Sequence, residues 1–155
     1  MELKDLKKGY DELAKKFKIP GFKEINQDFE VDKIDRDTDN ILRAIRKAMM
    51  DKIVNSLGFV EMLLNPANAP RLYHGFLKTM TSEEKQILDK MYGLLSELSV
   101  SSLELEIDSS DKLEAELIKR VQESWNSAKP DFKRILAKVK NPINDVVKKE
   151  KSYFG

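Results

Sequence analysis

The longest run of helical periodicity in the chain lies between residues 38 and 64. Its apolar residues recur at gaps of three and four, which is the spacing of one face of an α-helix about 40 Å long. A helix with so broad an apolar face is normally surrounded by other helices. Thr38 or Asp39 is expected to cap its first turn, and Asn65-Pro66 to end it. We therefore predict that this segment is the central helix of the fold. Its main apolar positions are Ile41, Leu42, Ile45, Ala48, Met49, Ile53, Leu57, Val60 and Leu64.

Shorter amphipathic segments flank this helix on both sides. Residues 2–17 carry one apolar stripe, and residues 70–80 carry another that begins at a proline suited to a first helical position. Thr81 and Glu84 have the spacing of a capping box for the helix that follows. The pattern predicts an all-α bundle or array of about six or seven helices around the central one. The expected starts of the remaining helices are Ser110 or Asp111 (supported by Glu114), Pro130 and Asn141-Pro142.

Residues 100–108 permit two interpretations. Leu103, Leu105 and Ile107 alternate with glutamates, which is the periodicity of a strand, and the serines just before them weaken a helix. A lone strand, however, has no evident partner in this chain. The segment is therefore either a continuing helix or an extended piece that pairs with its copy in a second chain.

The segmentation suggests one domain of 155 residues and 17.9 kDa. It comprises an N-terminal helix over residues 1–20, an acidic connector over 21–37, a helical core over 38–147 and a basic tail over 148–155 that we expect to fray. The apolar side chains of the connector are expected to hold it against the bundle. The glycines at 58 and 75 are interpreted as points where helices approach closely.

Composition excludes several classes of chemistry. The chain has no cysteine, so disulfides, thiolate catalysis and zinc–thiolate sites are ruled out. No signal peptide and no run of about 18 apolar residues is visible, which leads us to expect a cytoplasmic protein without a membrane span. The net charge of +1 is unevenly spread: residues 81–128 carry 11 acidic and 5 basic residues, whereas residues 129–155 carry 3 acidic and 8 basic ones. Either the two regions pack together, or the basic C-terminal segment binds an anionic partner.

Alternating carboxylates in the connector suggest a metal site. Asp28, Glu30 and Asp32 have the spacing of the first ligands of a calcium loop. The match then fails, because the sixth position is Lys33 instead of glycine and the twelfth is Asp39 instead of glutamate. The alternative is a solvated acidic loop that complements the N-terminal dipole of the central helix.

The chain has a single histidine, His74, so a metal site with two histidines from one chain is impossible. Its neighbour Tyr73, together with Tyr92, makes this region the best candidate for a small-molecule or enzymatic pocket. No phosphate-binding loop, dinucleotide fingerprint or Glu-x-x-His pair is present. The sequence therefore predicts no cofactor and leans away from an enzyme.

Basic residues of the central helix and of the C-terminal segment form a candidate anion-binding surface, although no helix-turn-helix signature or interleaved aromatic residues accompany them. We interpret them mainly as solvated or internally paired charges, and nucleic-acid binding is not the favoured function. The residues are Arg43, Arg46, Lys47, Lys133, Arg134 and Lys138.

Taken together, these patterns favour a structural or protein–protein interaction module that self-associates, with a dimer favoured. The reason is the combination of abundant apolar surface with the lack of convergent reactive groups. The two alternatives are the pocket near His74 and polyanion binding through the basic C-terminal segment.

Overall fold

The computed structural model describes the backbone of residues 1–154 and the side chains of residues 1–141. It is 84% helical, and within those residues six α-helices and no strand are found. The helices are α1 (Leu3–Phe17), α2 (Phe22–Phe29), α3 (Ile41–Leu64), α4 (His74–Thr79), α5 (Ser82–Ile107) and α6 (Asp111–Phe154). Short 3-10 turns occupy Val31–Lys33, Pro66–Asn68 and Arg71–Tyr73.

Helix α3 lies at the centre of the fold, as predicted. It packs mainly against α5 and α6 and also contacts α1 and α2. Its first turn is capped by Asn40, whose side-chain oxygen accepts a hydrogen bond from the Arg43 amide at 3.0 Å. The predicted cap at Thr38 or Asp39 is therefore wrong by one or two residues. The fully buried apolar side chains of α3 are Leu42, Ile45, Met49, Ile53, Val60 and Leu63.

Helix α5 begins at the predicted capping box, in which Thr81 and Glu84 each bind the other's backbone amide. It then continues without a break to Ile107, so the extended interpretation of residues 100–108 is wrong. Burial explains this outcome, because Leu98 and Leu105 face the core two turns apart. Ser99 is accommodated by donating its hydroxyl to the Leu95 carbonyl one turn back, at 3.0 Å.

Helix α6 is one continuous element from Asp111 to Phe154. The predicted new helices at Pro130 and Asn141-Pro142 are therefore wrong. A proline inside a helix removes one hydrogen bond and costs about 3 kcal/mol. The apolar side chains on both sides of Pro130 bury against the same core, at about 1.5–3 kcal/mol for each large one, and together they outweigh that cost. These side chains are Trp125, Ala128, Ile135 and Val139.

The N-terminal third also folds onto the bundle. The predicted connector contains the helix α2, whose apolar side chains Phe22, Ile25 and Phe29 are buried against the bundle as predicted. Tyr10 helps to fix the α1–α2 corner, since its hydroxyl donates to the Pro20 carbonyl at 2.8 Å. A β-carbon at Gly58 would meet nothing within 4 Å, so this glycine does not mark a close helix contact and that interpretation is wrong. At Gly9 the same atom would lie 2.9 Å from the Ile41 side chain.

The C-terminal residues are described only in part. The backbone of α6 continues through the predicted basic tail as far as Phe154, while the side chains of residues 142–155 lie outside the described residues. Within the described residues, no helix is both long and apolar enough to span a membrane.

Candidate interaction surface

The end of the α5–α6 hairpin is held by a buried ion pair. Arg46 of α3 donates from Nε and Nη2 to the two carboxylate oxygens of Glu114 on α6, at 2.7 and 2.9 Å. Both side chains are almost completely buried, Arg46 at 1% and Glu114 at 0% exposure. Ser109, in the loop between the helices, donates its hydroxyl to Glu114 at 2.8 Å. Bidentate geometry of this kind is strong and directional, so it fixes where α6 starts relative to α3.

Helix α5 joins the same network through Glu106. Its carboxylate receives hydrogen bonds from Arg46 at 2.8 Å and from Arg43 at 2.9 Å, and Lys47 lies 3.6 Å away. The hydrogen bond from Arg46 is the main reason why the pKa of Glu106 falls to about 2. The last turn of α5 is thus clamped to α3 by charge-assisted hydrogen bonds, in addition to its apolar contacts.

The outer face of this clamped segment is apolar and exposed. Val100, Leu103 and Ile107 expose 56%, 65% and 89% of their surface to solvent. Isolated exposed apolar residues are normal on a protein, but three on successive turns of one helix are a patch. Such a patch, without a cover in the described residues, is typical of a site of protein contact.

These three side chains belong to a longer heptad pattern on α5. Gly93 and Ser96 continue the pattern toward the N-terminus, with alternating gaps of three and four residues. Gly93 is exposed and Ser96 is partly exposed, and none of the five residues is charged. We call this set of five residues, Gly93, Ser96, Val100, Leu103 and Ile107, the α5 strip. It lies opposite the core side of α5, which comprises Leu88, Met91, Leu95, Leu98 and Leu105.

A second feature is an open groove of about 760 Å³ between α2, α3 and α6. Its walls combine aromatic rings such as Phe59 and Phe132 with charged side chains such as Asp28 and Lys52. These charges already have partners inside the chain. Asp28 accepts from Lys129 at 2.8 Å and from Gln122 at 3.2 Å.

Lys52 donates to the Asp28 backbone carbonyl, and its ammonium lies 4.8 Å from the centre of the Trp125 ring. Cation–π contacts with Trp125 and Phe29 therefore hold this lysine within the wall of the groove. Because Asp28 and Lys52 already bind other groups of the same chain, the groove stands second to the α5 strip as a candidate contact site.

The predicted metal residues lie in or near that groove. Burial acts to raise the pKa of Asp28, but its hydrogen bonds from Lys129 and Gln122, together with the positive charges of Lys129 and Lys52, lower the pKa overall. Glu30 pairs with Lys33 at 3.0 Å, and Asp32 is partly buried. Among the described residues, no group of three or more acidic or histidine side chains converges as metal ligands. The structure thus places the carboxylates of Asp28 and Glu30 beside ammonium and amide groups of the same chain.

The residues of the predicted pocket lie on two parts of the chain: Tyr73 and His74 at the start of α4, and Tyr92 on α5. Tyr73 packs edge-on against Phe59, with 5.8 Å between ring centres. His74 is exposed, with Nε2 at 3.3 Å from the Ala69 carbonyl. Tyr92 is 40% exposed on α5, one residue before the α5 strip begins. Tyr73 and His74 thus contact an aromatic ring and a backbone carbonyl of the same chain.

Most of the predicted anion-binding residues contact carboxylates of the same chain. Arg43 and Lys47 lie against Glu106, as described above. Arg46 is 1% exposed and so does not contribute to an outer surface. Arg134 pairs with Glu83 at 3.0 Å, Lys138 pairs with Glu84, and Lys133 is exposed. The basic part of α6 thus neutralises the acidic start of α5.

Sequence reasoning missed two parts of this surface. It gives Glu114 a role in a helix cap, whereas the carboxylate binds Arg46, which is 68 residues away in sequence. It does not single out Val100, because the alternation that follows this residue also fits a strand. The heptad spacing that connects Val100 with Leu103 and Ile107 is present in the sequence, but it has meaning only once the segment is known to be helical.

Comparisons with known proteins give no further guide to function. No protein-family model matches the chain, and no similar curated protein or similar solved structure was found.

Proposed function

We propose that this protein is a self-associating helical interaction module and that the α5 strip is its contact surface. The observation that carries this proposal is the exposure of Val100, Leu103 and Ile107 on one side of a helix whose opposite side is buried in the core. Complete burial of a side chain of this size contributes about 1.5–3 kcal/mol. A partner that binds the strip therefore buries apolar surface that the described part of the chain leaves exposed to solvent.

The contacts that hold the last turn of α5 in place favour the same function. The last turn of α5 is fixed to α3 and α6 through Glu106, Arg46 and Glu114, so the exposed side chains project from a rigid helix. A surface that is already ordered loses little conformational entropy when a partner binds. The strip is nevertheless small, since stable interfaces bury about 800 Å² on each partner. We therefore expect weak, concentration-dependent association.

The test is sedimentation equilibrium over a concentration series that extends to millimolar protein. We expect the natural chain to shift from monomer to dimer, and Leu103→Glu to remain monomeric because it places a charge in the strip. Val54→Glu is the matched control, because Val54 is 52% exposed on α3 and lies outside the strip. Circular dichroism confirms that both variants keep their helices. A natural chain that stays monomeric throughout, or a Leu103→Glu variant that dimerises as the natural chain does, would refute the proposal.

A further inference from the structure

We propose that the second copy binds the α5 strip in parallel and in register, as a two-stranded coiled-coil contact of about two heptads. This inference rests on the proposed function and adds the orientation and identity of the partner. It follows from the order of side chains along the strip and from the charges beside it.

The side chains of the strip have the order that parallel pairs prefer. In heptad notation Gly93, Val100 and Ile107 occupy a positions, and Ser96 and Leu103 occupy d positions. β-branched residues at a with leucine at d favour two parallel strands. In this register each apolar side chain meets its own counterpart, so Ile107, the most exposed of them at 89%, is covered by a second isoleucine.

The charges beside the strip disfavour the opposite orientation. An antiparallel pair aligns Val100 with Leu103 of the second copy, and this alignment brings Glu97 of each copy next to Glu104 of the other. Two carboxylate–carboxylate contacts would then flank a small interface, and like charges at such positions are destabilising. Arg120 lies 3.2 Å from Glu97 but is itself half-exposed, so it screens this repulsion only in part.

The parallel register avoids both of these contacts. Glu97 and Glu104 occupy e positions, and Tyr92 and Ser99 occupy g positions. In a parallel pair, position g of one helix faces position e of the next heptad on the other. Glu97 therefore lies opposite Tyr92, and Glu104 lies opposite Ser99. Glu106, which occupies a g position, already binds Arg43 and Arg46 and lies near Lys47. Its negative charge is therefore compensated within its own chain.

Disulfide trapping distinguishes the two orientations cleanly, because the natural chain contains no cysteine. In the parallel register, Ile107→Cys lies opposite itself and is expected to form a covalent dimer under mild oxidation. In the antiparallel register, residue 107 faces residue 96, so the two copies of residue 107 are about 16 Å apart along the helix. That distance exceeds the Cα separation of about 7 Å beyond which a disulfide cannot form.

Three further samples complete the experiment. Val54→Cys, at a site outside the strip that is 52% exposed, measures cross-linking by random collision. A mixture of Ser96→Cys and Ile107→Cys chains that carry tags of different mass reports the antiparallel pair as a dimer of intermediate mass. The double variant Ile107→Cys with Leu103→Glu shows whether trapping depends on the strip.

The proposal predicts that Ile107→Cys forms a dimer at least tenfold faster than Val54→Cys and that Leu103→Glu removes this advantage. If only the dimer of intermediate mass forms, the parallel register is wrong while self-association through the strip still stands. If Ile107→Cys cross-links no faster than Val54→Cys and no dimer of intermediate mass forms, this inference is overturned. A natural chain that is also monomeric in sedimentation then removes the proposed function as well.

Discussion

Replacing Arg46 by methionine removes one partner of the buried ion pair and leaves the other behind. The substituted side chain would keep much of the original length, but Glu114, at 0% exposure, would lose both hydrogen bonds from the guanidinium. Ser109 alone would remain on that carboxylate. Breaking a buried pair in this way destabilises proteins by about 3–5 kcal/mol, because an uncompensated charge stays in the interior. For a chain of this size each kcal/mol lowers Tm by about 2–4 °C, so we expect a fall of about 6–20 °C.

Urea unfolding followed by circular dichroism at dilute protein gives the free energy of unfolding directly. Arg43→Met is the matched control, because Arg43 bonds the neighbouring carboxylate of Glu106 but its side chain is 40% exposed. Exposed pairs contribute about 0–1 kcal/mol, so Arg43→Met should cost little. The double variant Arg46→Met with Glu114→Leu should recover most of the loss, since replacing both partners by apolar groups leaves no buried charge.

Two results would show that this reasoning is wrong. The first is an Arg46→Met variant that is no less stable than Arg43→Met, which would mean that Glu114 is not held in a buried site. The second is a double variant as unstable as Arg46→Met alone. It would mean that the loss of stability comes from packing around the guanidinium and not from the buried, unpaired carboxylate of Glu114.

Three further predictions concern pH, helix propensity and burial. Because the pKa of Glu106 is lowered from 4.5 to about 2, its contribution to stability is complete above pH 4.5 and is lost as the pH falls toward 2. Glu106→Gln should therefore flatten the curve of unfolding free energy against pH between these two values. An unchanged curve would contradict this prediction. Gly58→Ala should stabilise the chain by up to about 1 kcal/mol in thermal unfolding, since the added β-carbon meets nothing within 4 Å, and a destabilised variant would be evidence of a contact there. In urea unfolding of the dilute protein, Leu105→Ala should lower the free energy of unfolding by about 2–5 kcal/mol, because Leu105 is buried. Leu103→Ala should change the same free energy by no more than about 0.5 kcal/mol, because Leu103 is exposed. Equal losses would disagree with the helical register of α5.

Part of this fold can be predicted directly from short stretches of sequence. Apolar spacing predicts the central helix α3, and the Thr81–Glu84 capping box predicts the start of α5. Both signals act within one or two helical turns, so they depend little on the rest of the chain. The same is true of α1, whose apolar stripe and end before Pro20 are both visible in the sequence.

Other features depend on residues that are distant in sequence. Pro130 has a strong local tendency to begin a helix, yet it lies inside α6 because the side chains before and after it bury in one core. The candidate anion-binding surface does not include Arg46, because its guanidinium is buried and binds Glu114, which is 68 residues away in sequence. No local pattern reports such an encounter.

The sequence by itself determined that the chain is helical, where its central helix lies and where α5 begins, because hydrophobic periodicity and capping act between near neighbours. Only the tertiary structure decided which apolar residues were left uncovered. Leu103, Leu105 and Ile107 are equally apolar in the sequence, yet helical geometry directs Leu105 into the core and the other two toward solvent. The candidate contact surface is therefore a result of packing, which buries one side of α5 and leaves the opposite side available to a second copy.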